Sequence, residues 1–336
     1  MSRRTARLRA VLCCAGLVAV ALLDTGCSST GGDGLAVEAY VEPGGSASAR
    51  VSAAAPDATT IGIDGVTVTD DGAGLDDPPG GVARLAAAAA RGGATSELLV
   101  SNYSSSIGDF SPESGTALLG SAANRDRVAA LVAHAADRAG ADGVQIDLES
   151  LRARDRAGLV AFAGAVRDAV RSRIGVDATV SMAVMASTSA DGYRSTGYDL
   201  GALSDHVDRF VLMAYDQHGP WSGAGAVGAL PWAERVVRAA ERQGLRADRI
   251  DLGVAGYGYV WGGRGDPQVT PAAARRAAGG AAHWSERDGE WSASLDDGRV
   301  LHWSDERSYR ARTALAERLH LHGVALWSLD SMPLPR

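Results

Sequence analysis

From Ala36 onward the chain alternates short apolar runs with longer stretches in which apolar residues recur at helical spacing. That order predicts parallel strands joined by crossover helices. Eight runs read as strands: Ala36–Val41, Thr60–Val66, Glu97–Asn102, Gly143–Glu149, Thr179–Met185, Phe210–Asp216, Asp251–Tyr257 and Gly323–Leu329. Eight such units without a second compositional regime predict one α/β domain over residues 36–336, a (β/α)8 TIM barrel. Val128, Leu131, Val132 and Ala135 form a helical stripe before the fourth run, and Leu159, Phe162, Val166 and Val170 form another after it. Pro231 and Gly244 bracket a helix over Trp232–Gln243. Between the seventh run and the last helix, Trp284, Trp291, Leu301 and Trp303 stand among Gly, Asp and Ser residues. They predict a small inserted antiparallel element, placed to form one wall of a cleft on the barrel's C-terminal face.

Composition narrows the class. With 336 residues, 46% of them hydrophobic, the chain can bury one large core. A net charge of -7 gives no basic footprint, so a nucleic-acid partner is not expected, while a neutral glycan remains compatible. Arg3, Arg4, Arg7 and Arg9 precede an apolar run from Ala10 to Leu23, which is short for a membrane span and suits the core of an export signal. Gly26 directly before Cys27 has the form of a bacterial lipoprotein signal, and residues 28–35 read as a flexible linker. Asp24 stands where such signals usually carry an aliphatic residue, so acylation of Cys27 and simple secretion both stay open. The expected location is therefore the cell envelope or the exterior, with a lipid anchor as the sole membrane contact. Cys13, Cys14 and Cys27 are the only cysteines, so residues 36–336 offer neither a disulfide nor a thiolate metal site.

The chemistry concentrates in Asp142-Gly143-Val144-Gln145-Ile146-Asp147-Leu148-Glu149. Period-two alternation puts Gln145, Asp147 and Glu149 on one face and Val144, Ile146 and Leu148 on the other. Crowded inward carboxylates repel, so one proton is held strongly and a carboxylic acid becomes available near neutral pH. A departing glycosidic oxygen needs such an acid.

This segment resembles the Asp-Gly-x-x-x-Asp-x-Glu signature of glycoside hydrolase family 18, with Gln145 where an acidic residue is the commoner choice. The resemblance implies that Glu149 is the proton donor and that Asp147 orients the substrate's own N-acetyl group, which attacks the anomeric carbon in place of a protein nucleophile. It continues through Met213, Tyr215 and Asp216, matching a Met-x-Tyr-Asp pattern. That match implies Tyr215 as a hydrogen-bond donor to the acetamido group, Asp216 as a binder of sugar hydroxyls or the same network, and Met213 as floor. Trp327 falls where the family places a Trp beneath the sugar at the scissile bond. Tyr215-Asp216-Gln217-His218, Leu230-Pro231-Trp232 and Tyr257-Gly258-Tyr259-Val260-Trp261 bring the resemblance closest to the spore-cortex fragment-lytic branch, over Ala36–Leu329. The implied substrate is a β-1,4-linked polymer containing N-acetylglucosamine, with no cofactor and no metal.

Tyr40 and Asn102, at the ends of the first and third runs, are further substrate-binding candidates, as are Gln145, His218 and Tyr257. Bracing of a loop is the competing role for Tyr40, Asn102 and His218. His320 and His322 suit the C-terminus of the last helix and are assigned to structure. A monomeric glycosidase is the expectation. The competing reading is a non-catalytic, lectin-like barrel, since a fold does not fix a function.

Overall fold

The computed structural model describes residues 34–336; the leader, Cys27 and all but the last two residues of the linker lie outside them. Eight parallel strands close into a barrel: β1 (Ala36–Val41), β2 (Thr60–Thr67), β3 (Thr95–Ser101), β4 (Gly143–Asp147), β5 (Thr179–Met185), β6 (Arg209–Met213), β7 (Ile250–Ala255) and β8 (Gly323–Trp327). Each pairs with its sequence neighbours and β8 closes on β1, with Ala36 opposite Gly323. Alternation drives the closure. Val144, Ile146 and Leu148 project outward and are buried, as are Val128 and Val132 of the helix before β4 and Leu159, Phe162, Val166 and Val170 of the helix after it. Leu131 departs from its predicted stripe: the buried face runs through Val128, Val132 and Ala136, and Leu131 stands at its flank, 39% exposed.

β4, β6, β7 and β8 are shorter than predicted. Their last residues leave the ladder, because backbone that turns outward at the mouth can no longer pair with both neighbours. Ser150 and Asp216 mark two such departures with φ of 55° and 60°. β7 ends at Ala255, where the Gly256 N–H donates the last ladder bond to the Trp327 carbonyl at 2.7 Å. Tyr257 therefore lies beyond β7.

The insert is larger than predicted. It is a five-stranded antiparallel sheet built from Gly258–Trp261, Gln268–Val269, His283–Ser285, Glu290–Ser294 and Val300–Trp303. Its tryptophans build its own core: Trp291 and Trp303 stack 6.1 Å apart, and the Arg275 guanidinium lies 3.7 Å from the Trp291 ring centroid. A two-stranded hairpin, Tyr103–Ser104 with Asp109–Phe110, follows β3 and was not legible as a separate element. The helix Leu230–Glu241 starts two residues before the predicted Trp232; Pro231 sits in its first turn, and the Ala229 N–H donates to Gln217 at 3.1 Å.

Candidate active site

β4 delivers its polar face into the barrel, and three neighbours fix the backbone just beyond it. Asn102, past the end of β3, accepts from the Glu149 N–H at 2.8 Å and donates to the Glu149 carbonyl at 2.9 Å and the Ser111 carbonyl at 2.8 Å. The Tyr198 hydroxyl donates to the Leu148 carbonyl at 2.8 Å. The Ser150 N–H reaches the Met185 sulfur at 3.4 Å. Glu149 thus extends from a main chain clamped on both sides, which preorganises its carboxyl.

Burial dominates the charges. It pushes the Asp147 carboxyl up to about 7, with help from Asp64, and leaves Asp147 Oδ1 buried with no hydrogen-bond partner. Burial also raises Glu149 well above the glutamate range, and Asp147, Asp216 and Asp109 add to the shift. Asp216 is raised by burial, partly offset by hydrogen bonds from Tyr257 at 2.7 Å and Tyr259 at 2.9 Å. The Tyr215 phenol is pushed up by burial and then by Glu149 and Asp147, which keeps it protonated and able to donate. The site therefore holds a half-buried carboxylic acid, a buried carboxyl oxygen awaiting a donor, and a phenolic donor.

Beneath them a polar network fills the barrel. Gln145 accepts from the Tyr40 hydroxyl at 2.8 Å and donates to Ser181 at 2.9 Å and Glu38 at 3.2 Å. Arg209 pairs with Glu38 at 2.7 Å, Glu97 at 2.7 Å and Asp251 at 2.5 Å, and His322 joins Asp251 at 2.6 Å. Gln145 has spent its amide on the floor.

The family model for glycosyl hydrolases family 18 matches residues 92–331. This chain belongs to that family. The uncharacterized glycosylase YvbX of Bacillus subtilis (strain 168) is 21% identical over 244 residues, 69% of this chain and 70% of YvbX. The spore cortex-lytic enzyme SleL of Bacillus cereus superposes with a TM-score of 0.77 at 21% identity, over 89% of this chain and 71% of that one. The chitinase from Chromobacterium violaceum ATCC 12472 gives 0.77 at 22% identity, over 89% and 95%. At these identities the superpositions show a shared fold.

In this family 18 barrel the cleft has a volume of about 530 Å³. It gathers most of the residues singled out from the sequence: Glu149, Asp147, Gln145, Tyr215, Asp216, Met213, Trp327, Tyr40 and Tyr257 all line it. Trp327 and Tyr40 lie against each other, ring centroids 5.3 Å apart. Two of the substrate-binding candidates fall elsewhere. Asn102 is fully buried and committed to the Glu149 and Ser111 main chain, so it positions Glu149 instead of meeting a ligand. His218 is absent from the lining, and its Nδ1 pairs with the Ala226 carbonyl at 2.9 Å, bracing the loop after β6. Tyr40 and Gln145 face the cleft, yet their polar atoms bond each other and the floor. His322 serves the interior cluster through Asp251 as well as closing the last helix. Among the described residues no group of three or more His, Cys, Asp or Glu side chains is arranged to hold a metal ion.

Asp109, Phe110, Trp221 and Trp232 line the cleft without having been singled out for it. For Phe110, Trp221 and Trp232 only aromatic character near a strand's C-terminal end could have flagged them, a signal most surface aromatics share, and Asp109 carried none. Glu290 was missed as well. From the insert it accepts from the Val227 N–H at 2.8 Å and the Gly228 N–H at 2.9 Å, and it pairs with fully buried Arg312 at 2.5 Å. It thereby ties the loop after β6 to the insert and the last helix.

Proposed function

We propose that this protein is a retaining glycosidase that cuts β-1,4-linked polymers containing N-acetylglucosamine by substrate-assisted catalysis. One observation carries the reading: the buried, unpartnered Oδ1 of Asp147 in the same cleft as the raised acid Glu149. An unsatisfied buried acceptor is costly, and an acetamido N–H in the cleft would supply its missing donor. Glu149 then gives its proton to the glycosidic oxygen as the C1–O bond breaks. The acetamido oxygen bonds to C1, forming an oxazolinium ion, with Tyr215 donating toward the acetamido group and Asp147 taking charge from its N–H. Water adds to C1 as the oxazolinium opens, and its proton returns to Glu149. Two displacements at C1 retain the β configuration. Neighbours named for chitin and for spore cortex support a polymer of this class.

The test is reducing-end release from chitooligosaccharides and from purified peptidoglycan in parallel, with the first product anomer read by NMR. Glu149→Gln should keep the fold and lower kcat by roughly 10²- to 10⁴-fold, the usual worth of a general acid. A β product supports retention. Glycan binding without cleavage by the wild type would convert the reading to a sugar-binding barrel.

We also infer export, either as a lipoprotein acylated on Cys27 or by simple secretion. Radioactive palmitate that marks the wild type and spares Cys27→Ser in expressing cells identifies the lipoprotein, and unlabelled protein released to the medium identifies secretion.

A further inference from the structure

Asp147 Oδ1 is buried and has no hydrogen bond to set its strength as an acceptor. Gln145 stands two residues back on the same face, where an acidic side chain would put a negative charge directly beneath Asp147. Its neutral amide puts none there, and that amide is committed to Tyr40, Ser181 and Glu38. Burial and charge acting through space are what remain to tune Asp147.

β2 supplies such a charge. Gly62 faces the barrel interior, because a Cβ there would come within 2.3 Å of the Tyr40 ring and 3.1 Å of Glu38. Asp64 follows at strand period, one step nearer the mouth. The register of β2 against β3 shifts after Ile63, and Gly65 takes up the extra residue: a Cβ on it would meet Leu98, a side chain of the outer core, at 2.2 Å. Asp64 thus keeps its inward place. On β3, which separates β2 from β4, the residue level with Asp147 is Ser101, whose side chain is short. Two strand spacings hold β2 and β4 about 10 Å apart, and side chains that converge on the barrel axis close much of that gap. Around Asp64 stand Glu42 past β1, Asp330 past β8 and Arg50, which is paired with Asp330. Around Asp147 stand Glu149, Tyr198 and Tyr215, and among the described residues no Arg, Lys or His lines the cleft. Asp64 raises Asp147 while Asp147 does not raise Asp64, so Asp64 is the first of the two to carry its charge.

We propose that Asp64 is a positioning residue of the reaction, its carboxylate acting across Ser101 to make Asp147 a stronger acceptor for the substrate's acetamido N–H. This inference rests on the glycosidase reading and deepens it: the charge that Gln145 does not provide from beneath Asp147 comes from β2 instead. A stronger acceptor matters most as the acetamido oxygen bonds to C1, when positive charge develops on the group and its N–H becomes more acidic.

The test removes the charge at nearly constant shape. In Asp64→Asn the acid limb of kcat/KM on chitohexaose, where Asp147 must ionise, should move down by roughly one pH unit, the scale of a single nearby charge in a partly buried site. Asp64→Glu keeps the charge and should keep the limb, whereas a role in folding alone would lower the melting temperature of Asp64→Asn and leave its limb in place. NMR of protein labelled at the aspartate carboxyl carbon, with Asp147 assigned through Asp147→Asn, reads the same titration without turnover. It should lie at about 7 in the wild type and fall in Asp64→Asn. Asp64→Ser repeats the removal with a smaller side chain if the Asn variant does not fold. An Asp147 titration unmoved in a folded variant without the charge would overturn the proposal and leave the glycosidase standing on Glu149→Gln. A titration that moves under an unmoved limb would overturn the role in the reaction. If the wild type cuts nothing, the glycosidase reading fails, and the NMR titration alone decides whether Asp64 acts on Asp147.

Discussion

In the proposed mechanism Glu149 must be protonated when substrate arrives, and its neighbours make that state accessible. Burial raises its carboxyl first, and the negative charges of Asp147, Asp216 and Asp109 raise it further. The acid form is lost as pH climbs through that elevated pKa, so kcat/KM should fall along an alkaline limb set by Glu149 in the free enzyme. Asp216→Asn removes one of the charges while keeping an oxygen to accept from Tyr257 and Tyr259. Glu149 then ionises more easily, and the limb should move to lower pH in a kcat/KM profile. An unmoved limb would assign it to another group. That Asp147 and Glu149 line one cleft was legible, because strand period puts them on one face wherever the strand lies. Asn102 was not correctly placed, since a polar residue at a strand end reads the same whether it meets a ligand or a carbonyl.

At the scale of elements, the site depends on how β3 holds the end of β4. Asn102 is the link, with three hydrogen bonds to backbone in an interior position. Asn102→Ala would leave the Glu149 N–H and carbonyl and the Ser111 carbonyl without their partner, at a cost of about 1–3 kcal/mol per unsatisfied buried group. The melting temperature should drop, and kcat should fall more than KM rises, because the acid loses its fixed position. A stability loss with kcat unchanged would make Asn102 a purely structural residue. The barrel strands were readable as apolar runs bounded by polar turns. Their last two or three residues were not, because outward-turning backbone at the mouth keeps strand-like composition. The hairpin Tyr103–Phe110 escaped for a related reason: its strands are two residues each, too short to show a period.

Closing the barrel brings Glu38, Glu97, Arg209 and Asp251 together from four strands, and no local pattern announces such a meeting, since each side chain alone reads as solvent-facing. In the folded molecule three carboxylates share Arg209 beneath Gln145. Burial holds Glu38 up to about 7 against an ordinary 4.5, even with Arg209 pulling it down. Its folded pKa exceeds the unfolded one, so its contribution to stability is greatest below about 4.5 and is lost as pH rises toward 7. Burial alone would raise Asp251 too, but Arg209 and His322 outweigh it and keep that carboxyl below 3.8. Asp251 therefore adds stability above its ordinary value and loses it only in acid. Arg209→Met removes the shared cation, so Glu38 and Asp251 must either take up protons or stay charged with only the Gln145 amide and His322 left beside them. Breaking a buried pair in this way costs about 3–5 kcal/mol at pH 8, and protonation should relieve part of that cost at pH 5. Denaturation of wild type and variant at both pH values should show a gap that widens toward pH 8. A gap of equal size at both would mean that the carboxylates do not depend on Arg209 for their charge.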